Sequence, residues 1–407
     1  MRQPDIAITG LGLVTPAGHT AEANWATLCR GRSVADADPL LAGLPVDFSC
    51  RIADFDAEAQ LGRLAQRLDP FTQFALVAAR HAVVDAGLEA RSWRGERVGV
   101  VLGVGSTSMS TYETLFSHLH AGNPERVSPL ALPRSLPNMA AGEVALDLGA
   151  QGPNFTVSTA CASGATAIGV ARDLLRSGVC DIVLTGGAEG ARTRISAACF
   201  ARMQALSRRR DQPALASRPF DTARDGFVLG EGAAVLVLER LSGARARRAP
   251  VQALLRGYGA SADAHHPISP HPEGRGVLQA IAAALEDGGC RPNDIGHINA
   301  HGTSTPRNDA LEAAALRRVF GDRTPPVTAP KGVIGHSLGA AGAIEAAYTV
   351  LALRHQKVPP VANFQNQDTD HEIDIVAGEP RAVSADAALS FSFGFGGQNA
   401  VLLLTSP

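Results

Sequence analysis

The chain has 407 residues, long for one ordinary core, so two domains or one fold built from two halves is expected. Apolar residues make up 45% and charged residues 19%, with a net charge of −2, which fits a globular enzyme and excludes a dedicated nucleic-acid binder. No stretch approaches the roughly 20 apolar residues of a membrane span, the opening MRQPDIAITG has no signal-peptide core, and six scattered cysteines form no C-x-x-C pair, so a cytoplasmic protein without disulfides or a metal site is expected.

Strand and helix patterns alternate along the chain, which predicts an α/β fold. DIAITGLGLV opens it as an apolar run. Its TGLGLVT fails as a dinucleotide fingerprint, because the third glycine and the acidic partner are missing. Segment 74–89, FALVAARHAVVDAGLE, has helical periodicity and stops at Gly87, and 97–106, RVGVVLGVGS, reads as a buried strand entering a glycine turn.

Next comes FTVSTACASGATA, an extended run over 154–159 followed by a helix predicted over 160–176. Cys161 stands at the start of that helix. A thiol there faces unpaired N–H groups and the positive end of the dipole, which favours thiolate and can hold a developing oxyanion. The small Ala160, Ala162, Ser163 and Gly164 leave room for an extended thioester. Cys29, Cys50, Cys180, Cys199 and Cys290 read as inert. DIVLTGG at 181–187 is another strand, and the polar stretch 202–225 a loop.

The second half repeats this order. VLQAIAAALEDGG is a helix, DIGHINAHGTS a strand running into a polar turn, GHSLGAAGAIEAAYTVLALRHQ a small-residue helix, and NAVLLLTS a closing strand. An internal duplication dividing near Arg248 is the simplest account, with two unrelated α/β domains as the alternative. The halves are 1–250, carrying Cys161, and 251–407, carrying two candidate histidines. His301 ends a strand, where α/β folds present ligand-facing residues, and Thr303 and Thr305 can hydrogen-bond a substrate tail. His336 falls where strand becomes helix, the counterpart of Cys161. GFGG at 394–397 adds a turn with backbone donors and the bulky Phe395. Of 37 basic residues only Lys331 and Lys357 are lysine, and Lys331 lies close before His336.

GHSLG at 335–339 also fits G-x-S-x-G, the nucleophile elbow of serine hydrolases. Downstream His371 is directly preceded by Asp368 and Asp370, too close for an acid and a histidine carried on two separate loops. Ser337 is therefore expected to pack or cap a helix.

Taken together, VSTACASG, RPFDTARDGFVLGEGA, NAHGTSTPRND, KGVIGHSLGAAGA and SFGFGG resemble a β-ketoacyl-acyl carrier protein synthase of the elongating, Cys-His-His type, of fatty acid or type II polyketide kind. The resemblance runs from Ile6 to Leu404. It implies a thiolase fold, two duplicated halves in a five-layered α-β-α-β-α sandwich. It implies an acyltransferase that joins malonyl-acyl carrier protein to an acyl group on Cys161 by decarboxylative Claisen condensation. His301 and His336 would then serve decarboxylation, and the N–H groups of Cys161 and Phe395 the oxyanion, with Phe395 as a gate. Lys331 would order the site by pairing with Glu312, one turn after Asp309. No dissociable cofactor is implied, because substrates ride on the phosphopantetheine arm of the carrier protein. Partners would be acyl carrier protein, met by Arg63, Arg67, Arg208, Arg209 or Arg210, and a second ketosynthase chain in a homodimer or a heterodimer with a chain-length factor. Ser106 and the residues up to Met109 would shape the acyl pocket.

Three departures stand out. The family's S-N-S before the glycine turn reads Ser390, Phe391, Ser392 here, which puts a structural monovalent-ion site in doubt. Gln398 replaces a usual threonine, and Arg307 varies within TPRND. Non-catalytic chain-length factors have replaced the nucleophile that this chain keeps, and thiolases need a second late cysteine, of which none follows Cys290.

Overall fold

The computed structural model describes residues 4–106 and 109–407. Ten strands form its main sheet: β1 (Ile6–Val14), β2 (Val98–Gly103), β3 (Asn154–Val157), β4 (Ile182–Glu189), β5 (Gly232–Arg240), β6 (Ala253–Ala262), β7 (His297–Asn299), β8 (Val327–Thr328), β9 (Ala387–Gly394) and β10 (Gln398–Thr405). Their spatial order is β8-β7-β9-β10-β6-β1-β5-β4-β2-β3. Each run of five strands therefore has the same internal order, and the two runs meet where Ile6–Ile8 pair antiparallel with 253–255. In each half the second, third and fourth strands are mutually parallel and the fifth returns antiparallel.

The helices used below are α1 (Pro70–Asp85), α2 (Met109–His120), α3 (Met139–Leu148), α4 (Ser163–Arg176), α5 (Arg194–Arg202), α6 (Arg275–Gly288), α7 (Pro306–Phe320) and α8 (Ala341–His355). Three apolar cores account for five layers. One lies between α1, α3 and the first five strands, one between the two halves around α4 and α8, and one between the last five strands and α6 with α7. Strand β1 is buried along its whole length, so both faces must be apolar and its sequence is a near-continuous apolar run. Helix α8 is buried from Ala341 to Leu353, which explains why it has no polar stripe.

Glycine lets the middle layer close. A Cβ on Gly164 would lie 2.7 Å from the Ala343 nitrogen, and one on Gly342 would lie 2.8 Å from the Ala165 nitrogen, so α4 and α8 touch backbone to backbone. Two boundaries differ from expectation. Helix α4 starts at Ser163, because Ala160 takes a left-handed φ of 49° and Ala162 is the cap. A short helical turn, Lys331–Ile334, is inserted after β8, so His336 follows that turn and a left-handed Gly335 rather than the strand. Among the described residues no helix is long and apolar enough to cross a membrane. Thr107 and Ser108, within the expected pocket segment, lie outside the described residues.

Two glycine substitutions should move stability in opposite directions. A Cβ on Gly12 would fall 1.8 Å from the Ala78 carbonyl oxygen, forcing β1 off α1, whereas Gly243 lies in an exposed helical turn with nothing within 4 Å. Gly12→Ala is expected to cost about 3 kcal/mol or more. Gly243→Ala is expected to gain roughly 0.5–1 kcal/mol. Parallel thermal melts check both, and an unchanged melting temperature for Gly12→Ala would contradict the packing described.

Candidate active site

The parallel strands of the two halves all present their C-terminal ends to one cavity of about 550 Å³, with Gly105, Ser106, Cys161, His301, His336 and Phe395 in its wall. Ser106 follows β2, Cys161 follows β3, His301 follows β7, His336 comes after β8, and Phe395 follows β9. The six residues come from five turns far apart in sequence. Repeated topology brings them together.

Cys161 is 9% exposed. The strained φ at Ala160 turns the chain so that Sγ enters the cavity, and Gly394 packs against this turn so closely that its Cβ would lie 2.7 Å from the Thr159 oxygen. The backbone N–H groups of Phe395 and of Cys161 itself face the sulfur, an arrangement suited to an oxyanion. Burial opposes the thiolate expected from the helix dipole. Burial pushes the thiol up to about 11, against the pull of Lys331 and the two N–H groups, and Glu189 adds to the rise. Because the helix begins beyond Cys161, its dipole acts more weakly than the sequence suggested.

Both histidines are 2% exposed, and their rings meet edge to face with centroids 5.5 Å apart. His301 Nδ1 lies 3.2 Å from the Lys331 ammonium, so that nitrogen is the acceptor and Nε2 carries the proton. His336 Nδ1 accepts the Leu338 N–H at 3.3 Å, which leaves its Nε2 as a donor too. Burial first, and then the Lys331 charge, hold both imidazoles well below their ordinary value. Two neutral N–H donors therefore share the cavity with a thiol.

Lys331 does not pair with Glu312. Its ammonium donates to Glu345 Oε1 at 2.5 Å and to the His301 carbonyl at 2.7 Å. Glu312 instead accepts the His301 and Gly302 N–H groups at 2.7 and 2.8 Å, fixing the His301 turn, and burial pushes it up to about 8. Asp309 accepts from the Phe220 and Ser304 N–H groups at 2.8 and 3.1 Å, tying that turn to the 218–233 segment. Thr303 and Thr305 share a 2.8 Å hydrogen bond on the cavity wall, and Arg307 reaches Ser269 across its mouth at 3.0 Å. Ser337 is buried and donates to the Glu231 carbonyl at 3.3 Å with no histidine on its hydroxyl, so GHSLG is no elbow. Among Arg63, Arg67, Arg208, Arg209 and Arg210, Arg209 is held by Ala223 and Asp225, Arg210 pairs with Asp47 while itself exposed, and Arg63, Arg67 and Arg208 are exposed.

Sequence reasoning does not point to Glu345 or Glu189. The signal for Glu345 was a lone acid in the otherwise apolar GAIEAAYTV. Four buried oxygens here have no hydrogen-bond partner among the described residues: Glu345 Oε2, Asn299 Oδ1, Ser390 Oγ and Ser392 Oγ. Ser390 pairs in register with Asn299, Asn299 Nδ2 donates to the Glu345 carbonyl, and Ser392 Oγ lies against Gly342, one turn before Glu345. An all-oxygen set with one carboxylate fits a small hard cation. Phe391, on the opposite face of β9, packs into the outer core and leaves these oxygens untouched.

Models of the β-ketoacyl synthase N-terminal and C-terminal domains match residues 3–244 and 252–365. The chain belongs to the β-ketoacyl synthase family. A 3-oxoacyl-[acyl-carrier-protein] synthase 2 of Synechocystis sp. is 43% identical over 404 residues, covering 98% of this chain and 97% of its own. Among solved structures, the ishigamide ketosynthase/chain length factor superposes with a TM-score of 0.93 at 34% identity, each chain covered in full. A type II PKS acyl-carrier protein in complex with its ketosynthase bound to the hexaketide gives 0.92 at 29% identity, again over 100% of both chains. The duplicated five-layered arrangement is the thiolase fold of these ketosynthases. As a β-ketoacyl synthase the chain is an acyltransferase that makes the carbon–carbon bond of a 3-oxoacyl product.

A thiol held near 11 has a measurable consequence. Alkylation of Cys161 by iodoacetamide, followed on its own peptide by mass, should climb about tenfold per pH unit from neutral pH towards 10. A plateau below pH 8 would mean that the resting enzyme carries a thiolate.

Proposed function

We propose that this ketosynthase elongates fatty acid or polyketide chains, condensing malonyl-acyl carrier protein with an acyl group carried on Cys161. The observation that carries the reading is the set of donors around one cavity: a thiol facing two backbone N–H groups, opposite two imidazoles whose Nδ1 atoms are both occupied.

The acyl group passes first from the carrier thioester to Cys161 Sγ, and the thiol proton leaves with the carrier's sulfur. The malonyl thioester then places its carbonyl oxygen between the Nε2–H groups of His301 and His336. Its carboxylate departs as carbon dioxide and the electron pair is held as an enolate by those two donors. The enolate carbon attacks the acyl carbonyl, whose oxyanion the Cys161 and Phe395 N–H groups stabilise. Collapse returns the thiolate, which is reprotonated. Thr303 and Thr305 bind the pantetheine arm, and Ser106 lines the acyl chamber. A cation held by Asn299, Glu345, Ser390 and Ser392 would supply a fixed positive charge that neutralises Glu345 behind Lys331.

Substrates come on acyl carrier protein, docked against Arg63, Arg67 and Arg208, and no dissociable cofactor takes part. A second ketosynthase-like chain pairs along β3, which ends the sheet and exposes Asn154 and Phe155. The cytoplasm suits its cysteines, all of them free. A chain-length-factor role is disfavoured by the intact Cys161.

Incubation with an acyl-carrier-protein thioester should add an acyl mass to the Cys161 peptide, and none to Cys161→Ala. His301→Ala or His336→Ala should slow carbon dioxide release about 10²–10³-fold and self-acylation far less. Release should stay flat as pH falls through 6.5, because both imidazoles are already neutral there. Label elsewhere, or unchanged release in both variants, would refute the reading. Phe395, half-buried and followed by Gly396 and Gly397 at φ 78° and 72°, acts as the gate. Phe395→Ala should keep a near-normal melting temperature and lose the acyl-first order of substrates. A core role would instead cost about 3–5 kcal/mol with turnover per folded molecule intact.

A further inference from the structure

In each half three parallel strands point their C-terminal ends at the cavity, and five of these six ends carry residues already assigned a part in the reaction. The sixth is β4, and its last residue is Glu189. This side chain is 2% exposed and forms no ion pair among the described residues. Its Oε1 accepts from Ser106 Oγ at 2.7 Å, and its Oε2 accepts from the Gly105 N–H at 2.9 Å and the Gly339 N–H at 3.1 Å.

Those donors belong to two different parts of the machinery. Gly105 and Ser106 form the wall of the acyl chamber, while Gly339 ends the turn that begins at His336 and passes through Leu338, whose N–H sets the His336 tautomer. The two segments meet at van der Waals distance over the carboxylate. A Cβ on Gly339 would lie 2.1 Å from the Gly105 nitrogen and 2.8 Å from Glu189 Oε2, and one on Gly105 would lie 2.6 Å from that same oxygen. Both residues must be glycine for one oxygen to reach both amides. Burial without a counter-charge pushes the Glu189 carboxyl up to about 7, and the hydrogen bonds from Ser106, Gly339 and Gly105 oppose that rise.

We propose that Glu189 is a positioning residue that ties the wall of the acyl chamber to the turn carrying His336. The inference rests on the role given above to His336. Through it, the chamber that measures the acyl chain and the donor that triggers decarboxylation share one rigid link. When ionised, the same carboxylate works against thiolate at Cys161, and the other titratable or charged side chains around that cavity are Lys331, His301, His336, Asp263 and Arg307.

The experiment compares wild type, Glu189→Gln and Glu189→Asp, using malonyl-acyl carrier protein and a series of acyl-acyl carrier proteins. Glutamine keeps the shape but has one acceptor oxygen, so with that oxygen on Gly105 and Gly339 its NH2 faces the Ser106 hydroxyl and N–H that donate to the carboxylate. Glu189→Gln should remain folded and lose about 10²-fold in the kcat of carbon dioxide release with little change in KM, as a misplaced donor does. Its acyl-length preference should broaden, and its Cys161 alkylation midpoint should move to lower pH because the opposing charge is gone. Glu189→Asp keeps the charge but is too short to reach both amides. It should lose decarboxylation similarly while keeping the wild-type alkylation midpoint, and it decides the matter if the glutamine variant does not fold. Release within twofold of wild type in a folded variant overturns the inference alone. A wild-type protein that releases no carbon dioxide overturns the proposed function, and this inference with it.

Discussion

The Lys331 ammonium donates at once to Glu345 Oε1, the His301 carbonyl and His301 Nδ1, in a place where only 1% of the residue is exposed. Each contact has a separate effect. The bond to Nδ1 selects the imidazole tautomer, the bond to the carbonyl holds the turn after β7, and the ion pair anchors both to α8. The nearby positive charge, added to burial, holds His301 and His336 well below the ordinary imidazole value, which the proposed role as N–H donors to an enolate requires. A guanidinium could not replace this group, because its planar fork cannot send three donors toward three differently placed acceptors from one nitrogen. That is a physical reason for a lysine here in a chain that otherwise uses arginine almost throughout. The arrangement also explains the cost of Glu345. Removing either partner of such a buried pair leaves the other uncompensated, typically a loss of about 3–5 kcal/mol.

Much of the site was legible in the sequence, because the nucleophile and both histidines sit at junctions with their own local signature. Cys161 lies between an extended run and a small-residue helix, and His301 follows a short apolar strand. The acids were not legible in the same way. Spacing put Asp309 and Glu312 on one helical face, and the structure buries both, but it gives Glu312 to backbone N–H groups and Lys331 to Glu345 on another helix. Nothing local to either acid records which cation it faces. Glu189 is a stronger case, since its partners lie 83 and 150 residues away. The thiolate expectation rests on the helix end alone, a local feature, whereas the largest influence on Cys161 is its burial, which opposes the charge.

Duplication is visible in the strand order and in the chemistry that has diverged upon it. The first half supplies Cys161 and the wall around Ser106, and the second His301, His336 and Phe395. Neither half has a site alone. They are joined by the pairing of β1 with β6 and by the bare contact of α4 with α8, where Gly164 and Gly342 admit no side chain. The inserted turn Lys331–Ile334 is the clearest break in the symmetry, and it carries the residue on which the histidines depend.

The scarcity of lysine has a consequence for the outside of the molecule as well. With Lys331 enclosed, the only exposed lysine is Lys357. Positive charge elsewhere on the surface is guanidinium, which keeps its proton across the whole range in which proteins are handled. Enzymatic acetylation of amines would leave that surface almost unaltered. For the experimenter, an amine-directed dye or tether has one side chain to find, at the start of a short strand beyond α8.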